Sequence, residues 1–207
     1  MKGVVITGGS APPPDTVRLW SEEAQCIIAA DSGLATAVAC GLKPDRVVGD
    51  FDSLPSPSLL DGIDESRIER HPRDKDFTDT ELALSAARAE GCDEVVIIGG
   101  GGGRMDHLIG ILSLFDRDPA PVAWVTDRSV LQNVTQQIEI TGETGNVVSF
   151  FPLGCSPCRA RSHGLRWPLD GLTWKRGDIG VSNELVGNSA RVQIVSGRLL
   201  LVRELEG

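Results

Sequence analysis

The sequence predicts two architectures in one chain: an amino-terminal α/β domain with a mostly parallel sheet, then a carboxy-terminal antiparallel β-sandwich. Three observations carry this. Continuous apolar runs alternate with helical patterns through residues 1–127, which implies strands covered on both faces of a parallel sheet. The helical patterns stop near Asp127. Across 128–207 short alternating runs recur between turn signals, the pattern of a sandwich or barrel.

The elements follow in order. The first strand is the run at 4–7, closed by Gly8-Gly9. Ala11-Pro12-Pro13-Pro14 then reads as a stiff, non-helical connection, because proline fixes φ and lacks an N–H. Further strands are read at 26–30, 46–50, 94–98 and 122–126. Between them lie an alanine-rich helix at 34–40 and a helix at 80–90 with Leu82, Ala83, Ala86 and Ala87 as its apolar positions. A third helix is read at 105–115, where Leu108, Ile109, Leu112 and Phe115 form one face. The second domain's strands are read at 130–134, 137–140, 147–151, 179–181, 191–195 and 199–202, separated by turns such as Gly145-Asn146.

Composition bounds the function. A chain of 207 residues buries roughly 70% of its extended surface and needs no metal or disulfide to fold. No apolar run is long enough for a membrane helix. The amino terminus lacks a signal-peptide core, so the expected location is the cytoplasm. A formal net charge of −9 argues against a binder that works by neutralising nucleic-acid phosphates. Five cysteines, an odd count, fit reduced thiols. Cys155-Ser-Pro-Cys158 has CxxC spacing but lacks the other half of a zinc site, and His71, His107 and His163 share no ligand spacing.

In an open parallel sheet, ligands bind beyond the carboxyl ends of the strands. Asp31 closes the second strand and Asp50 the third. Asp50 and Asp52 stand two apart. In an extended chain both carboxylates point to one side, where a divalent cation such as Mg²⁺ relieves their repulsion. The alternative is an acidic loop in which Asp52 caps a short helix. Five glycines at 99–103 close the fourth strand before a helix start, an arrangement that lets backbone N–H groups converge on an anion. Neither GK[ST] nor a clean GxGxxG fingerprint accompanies them. Asp106 lies in the first turn of the following helix, where the dipole favours it. Thr78-x-x-Glu81 reads as a capping box, with Asp76 just before the helix and Asp79 just inside it. All six aspartates thus fall at strand ends or helix starts, which a random scatter of surface acids does not favour.

Taken in order, Gly49-Asp50-Phe51-Asp52-Ser53, Asp76-Phe77-Thr78-Asp79 and Gly102-Gly103-Arg104-Met105-Asp106-His107 resemble the motifs of the thiamine pyrophosphokinase family. Gly164-Leu165-Arg166-Trp167-Pro168-Leu169 is similar to its GL(K/R)WxL segment, and Val181-Ser182-Asn183-Glu184 to its (I/V)SNE segment. The resemblance implies an α/β domain followed by a β-sandwich, in a homodimer. It implies a transferase that converts ATP and thiamine to AMP and thiamine diphosphate with Mg²⁺. It also implies that thiamine binds at the dimer interface, largely between the α/β domain of one subunit and the β domain of the other.

On that resemblance, residues 1–127 form the nucleotide-binding catalytic domain and 128–207 the thiamine-binding domain. Asp50, Asp52, Asp79 and Asp106 are the implied catalytic residues, and Asp50, Asp52, Asp76 and Asp79 the implied metal ligands. Asp31, Lys75, Gly102, Gly103, Arg104 and Asp106 would line the nucleotide. Trp167 would lay its ring against the cationic thiazolium, while Ser182 and Asn183 offer polar contacts to the aminopyrimidine. Three rivals stand beside this reading: a diphosphokinase for another alcohol such as a pterin, a regulatory binder without turnover, and a dinucleotide-dependent oxidoreductase.

Overall fold

The computed structural model describes residues 1–205. By contact it divides into two compact units, Met1–Ile111 with Ala123–Arg128, and Leu112–Val122 with the residues from Ser129 onward.

In the first unit six strands run parallel: β1 (Lys2–Thr7), β2 (Cys26–Ala30), β3 (Arg46–Gly49), β4 (Ile68–Arg70), β5 (Glu94–Gly99) and β6 (Ala123–Val125). Their order is β6-β5-β1-β2-β3-β4. Helices α1 (Pro14–Ser21), α2 (Gly33–Ala39) and α3 (Asp79–Ala89) connect them, and α4 (Met105–Ser113) follows β5. Apart from β4, the strands are largely apolar because both faces are covered. Ile28, Ala30 and Val48 pack with Ala83, Ala86 and Ala87 of α3, whereas Ala29 and Val47 pack with Leu34 of α2. Neighbouring residues of one strand thus serve opposite cores, as a period of two requires. α2 lies so close to β1 that a Cβ on Gly33 would stand 2.1 Å from the Ile6 carbonyl oxygen, which leaves glycine as the residue that fits.

The winding fixes where a ligand crevice can form. From β1 the chain proceeds one way through β2, β3 and β4, then returns to the other side of β1 with β5. The switch point falls at the carboxyl ends of β1 and β5, the place where doubly wound sheets bind ligands. Gly8-Gly9 and the glycines at 99–103 occupy those ends.

Two expectations need correction, and one strand carries no sequence signal. Pro14 does not extend a non-helical connection but opens α1 at its first helical position, where the missing N–H would have had no intrahelical partner anyway. β4 was not read, being three residues long and without a continuous apolar run. The face drawn through Leu108, Ile109, Leu112 and Phe115 is not a core face: Ile109 is 56% exposed, while Ile111 and Phe115 are buried. The reason is local. α4 ends at Ser113 and a 3₁₀ turn covers Leu114–Asp116, so Phe115 no longer follows the helical period.

The second unit is antiparallel. β7 (Ser129–Val134), β9 (Val147–Leu153), β11 (Gly180–Glu184) and β13 (Arg198–Glu204) pair in the order β11-β9-β13-β7. β8 (Gln137–Thr141), β10 (Arg159–His163) and β12 (Ser189–Ser196) pair in the order β10-β12-β8. Alternate residues from both sheets, among them Phe150, Ala190, Val192, Leu199 and Leu201, share one core with Trp174. Truncating a fully buried aromatic such as Phe150 to alanine costs about 3–5 kcal/mol. Among the described residues no helix is long and apolar enough to cross a membrane.

Candidate functional site

In the first unit the site grows from the ends of β2 and β3. Asp31 follows β2 with φ of 46°, a left-handed conformation that costs a non-glycine residue energy and is commonest at functional positions. Its N–H donates to the Val48 carbonyl at 2.8 Å. One carboxylate oxygen, Oδ2, accepts from the Ser53 hydroxyl; the other, Oδ1, is buried with no hydrogen-bond partner. Asp50 follows β3. Its Oδ2 takes the Lys75 ammonium at 3.0 Å, and its Oδ1 accepts the Asp52 N–H at 3.2 Å. The chain is not extended here, since Phe51 has φ of 64°. The premise that Asp50 and Asp52 project side by side from a strand therefore fails. Asp50 folds over the turn, and the more exposed Asp52 pairs with Arg73 at 3.3 Å.

Asp79 is delivered by the start of α3. The capping box forms as read: Thr78 Oγ1 accepts the Glu81 N–H, and Glu81 accepts the Thr78 N–H. One residue further on, the buried Thr80 hydroxyl meets that of Thr7, at the end of β1, at 2.7 Å. This pins the helix start to the switch point. Lys75 lies 3.3 Å from Asp79 Oδ1, yet that oxygen accepts no well-directed hydrogen bond and is buried.

Electrostatics separates the two carboxylates that flank Lys75. The lysine hydrogen bond holds the Asp50 carboxyl below its usual range, with burial opposing. Burial pushes Asp79 up, only partly offset by Lys75, and the charges of Asp50 and Asp31 add to the rise. By surface exposure Asp50 is the more enclosed, 14% against 23%. The hydrogen bond from Lys75 wins at Asp50, whereas desolvation wins at Asp79. Burial lowers the Lys75 value, but Asp50 and Asp79 outweigh it and the ammonium is held.

The remaining nucleotide-side candidates stand differently. Asp76 is exposed just before α3. Among the described residues no three carboxylate, His or Cys side chains are gathered as a ready metal cage, so the four aspartates expected as ligands are not assembled as one. In the glycine run, the N–H groups of Gly100 and Gly101 donate to the Gly8 and Ser10 carbonyls; the exposed Gly102 and Gly103 lie beyond that pairing. Arg104 and Asp106 are exposed and paired with each other. Arg104 holds the Asp106 carboxyl below its ordinary value. Residue patterns did not single out Thr7, Thr80 or Ser53, because isolated hydroxyls carry no period or spacing.

In the second unit the candidates gather where residues 164–167 run beside β11. Leu165 bridges Leu185, Arg166 N–H donates to the Glu184 carbonyl at 2.8 Å, and Val186 N–H to the Gly164 carbonyl at 3.0 Å. Trp167 is 51% exposed, so it is not a core residue; Trp174 holds that place. The Arg166 guanidinium sits over the Trp167 ring at 4.8 Å. Ser182 is exposed, with φ of 60°, where the pairing of β11 with β9 shifts register. Such irregularities re-aim side chains near sites. Asn183 is buried, and its amide is turned onto the backbone of Trp167 and Glu184. All five cysteines are free, and burial pushes Cys158 up to about 11, an inert thiol.

A doubly wound sheet with glycines at its switch point and carboxylates around a held lysine has the build of a nucleotide-binding enzyme. The comparisons agree. The family model described as "Thiamin pyrophosphokinase, catalytic domain" matches residues 17–118, and "Thiamin pyrophosphokinase, vitamin B1 binding domain" matches 135–199. A thiamine pyrophosphokinase from Bacillus subtilis is 24% identical, with 98% of each chain covered. Its solved structure superposes with a TM-score of 0.80 over the full length of both chains. The thiamin pyrophosphokinase structure from Geobacillus thermodenitrificans is 27% identical, with a TM-score of 0.76 over 100% of this chain and 99% of that one. That from Candida albicans, at 17% identity, shares the fold with a TM-score of 0.74 over 99% of this chain and 89% of that one. The chain belongs to the thiamin pyrophosphokinase family and is a transferase.

Proposed function

We propose that this chain transfers the diphosphate unit of ATP to the hydroxyl of thiamine, releasing AMP and thiamine diphosphate. Thiamine diphosphokinase activity follows from the family. The observation that carries the residue-level reading is the pair of carboxylates, Asp50 and Asp79, around Lys75, with the buried Asp79 Oδ1 and Asp31 Oδ1 accepting no hydrogen bond. A buried acceptor without a hydrogen bond is costly; Lys75 stands 3.3 Å from Asp79 Oδ1, and a further cation would satisfy both oxygens.

The residues suit Mg²⁺, which prefers oxygen donors and shares its positions with phosphate and water. Asp50 and Asp79 would hold it, with Asp31 behind them and Asp52 and Asp76 as outer carboxylates. When bound, the ion would neutralise and orient the phosphate chain. The protein's own groups do the rest. Lys75 brings a fixed positive charge on to the β- and γ-phosphoryl oxygens. Gly102 and Gly103 offer backbone N–H groups, and Arg104, steadied by Asp106, offers a second cation. The oxygen–β-phosphorus bond to thiamine forms as the bond to the AMP oxygen breaks, and the hydroxyl proton is released to solvent water. Phosphoryl-type transfer asks mainly for alignment and charge neutralisation, which is what these residues supply.

In the second unit, Trp167 presents an exposed ring and Ser182 an exposed hydroxyl for thiamine. The family resemblance adds a homodimer, and the exposed apolar side chains Met105, Ile109 and Leu112 on α4 give it a surface to bury. A cytoplasmic location fits five free thiols. The test is a product assay with thiamine, ATP and Mg²⁺, with EDTA as control. Equal amounts of AMP and thiamine diphosphate, abolished by EDTA, are expected. ADP with thiamine monophosphate would contradict attack at the β-phosphorus, and turnover of a pterin alcohol in preference to thiamine would favour the rival diphosphokinase.

A further inference from the structure

Asn183 is 6% exposed. Its Oδ1 accepts the Trp167 N–H at 3.2 Å and the Glu184 N–H at 2.9 Å. Its Nδ2 donates to the Trp167 carbonyl at 2.7 Å. One amide therefore grips the Trp167 peptide at both its donor and its acceptor. Both lone pairs of Oδ1 are occupied, and one N–H is left over. A side chain so placed has little to offer a ligand directly.

The neighbouring residues complete the grip. Arg166 is tied to Glu184 twice, through its N–H at 2.8 Å and its guanidinium at 2.7 Å. That guanidinium covers one face of the Trp167 ring at 4.8 Å. Trp167 itself remains half exposed. An exposed aromatic whose peptide is clamped and whose one face is covered has a defined orientation. Such pre-organisation lowers the cost of ordering a contact on binding.

We infer that Asn183 is a positioning residue that acts on thiamine through Trp167, fixing the ring's orientation rather than touching the ligand. This rests on the reading of Trp167 as a thiamine-facing ring. The test is a double-mutant cycle on the full chain, read by titration calorimetry with thiamine: wild type, Asn183→Ala, Trp167→Ala and the double variant. Trp167→Ala is expected to weaken binding about tenfold, within the range of a ring-face contact. Asn183→Ala should weaken wild type to a similar extent and add less than about twofold once Trp167 is gone, since contacting residues couple. The thiamine KM should rise in Asn183→Ala while the ATP KM holds, a split that general loss of structure would not give.

Equal losses in both backgrounds would overturn the inference and make Asn183 a direct contact. Unchanged binding in Asn183→Ala would also overturn it. Unchanged binding in Trp167→Ala would instead remove the reading on which it rests. Because the alanine leaves backbone groups unpaired, Asn183→Asp serves as the second variant, checked for folding by circular dichroism. It keeps both acceptor bonds, sets a repelling oxygen against the Trp167 carbonyl in place of the donor and adds a negative charge, and the same coupling is expected from it.

Discussion

The two candidate regions are held together by opposite means. In the first unit Asp50 and Asp79 flank one ammonium, and two carboxylate oxygens, on Asp79 and Asp31, are left without a hydrogen bond. In the second unit a neutral amide grips Trp167, with every acceptor site of Asn183 Oδ1 filled. The first is a charge balance open to a change of partner. The second is a closed hydrogen-bond set that fixes a shape. A site that must exchange a charged ligand cannot be fully satisfied beforehand, because each satisfied group would have to be stripped first. A platform that meets a flat ring through one exposed aromatic face has no such need.

The sharpest way to break this comparison is to neutralise the charge balance. Asp50→Asn should lower kcat at least about 10²-fold, the scale of one preorganised electrostatic contact, while the fold survives. Near-full activity in that variant would remove Asp50 from the machinery. Asp52→Asn should cost less, since Asp52 is already exposed and paired with Arg73; steady-state kinetics ranks the two. Next comes the platform. Trp167→Ala should raise the thiamine KM about tenfold, within the cation–π and stacking range, with the ATP KM unchanged. Equal rises in both would mean a folding defect rather than a lost contact.

Smaller effects sharpen the picture. Thr78→Ala removes the cap of α3 and should cost about 1 kcal/mol of stability, measured by denaturant unfolding. Because α3 carries Asp79 in its first turn, activity should fall beyond the stability loss. The smallest effect has an unusual sign. Burial raises the folded-state value of Asp79. A group raised on folding favours the folded state below its unfolded value and costs stability as pH rises through the folded value. Asp79→Asn should therefore raise the thermal midpoint at pH 7, by a few degrees at most, and lose that advantage in acid below the usual aspartate range. Asp50 is the mirror case. Its depressed value contributes stability above the usual aspartate range, which is lost as pH falls through the folded value. Asp50→Asn should lower the midpoint at pH 7 and not in acid.

The same contrast explains what could be read from the sequence. The parallel strands were legible because both-face burial makes them continuously apolar, and Asp31 and Asp50 were legible as strand-end residues. The capping box at Thr78 and Glu81 was legible because it is a local reciprocal pattern. α1 was hidden behind three prolines whose last member starts the helix. The apolar side of α4 was misassigned because a 3₁₀ turn interrupts the period before Phe115. The turn at Phe51 was hidden because nothing in a phenylalanine announces a left-handed backbone. The orientation of Asn183 was hidden because it depends on a register shift in β11 that only three-dimensional pairing reveals.

The central claim is that the two regions divide the substrates between them. The most direct measurement is equilibrium titration of wild type, Asp50→Asn and Trp167→Ala with thiamine and, separately, with a non-hydrolysable ATP analogue and Mg²⁺. The account predicts that Asp50→Asn loses nucleotide affinity and keeps thiamine affinity, while Trp167→Ala does the reverse. Loss of both ligands in both variants, or the opposite assignment, would contradict it.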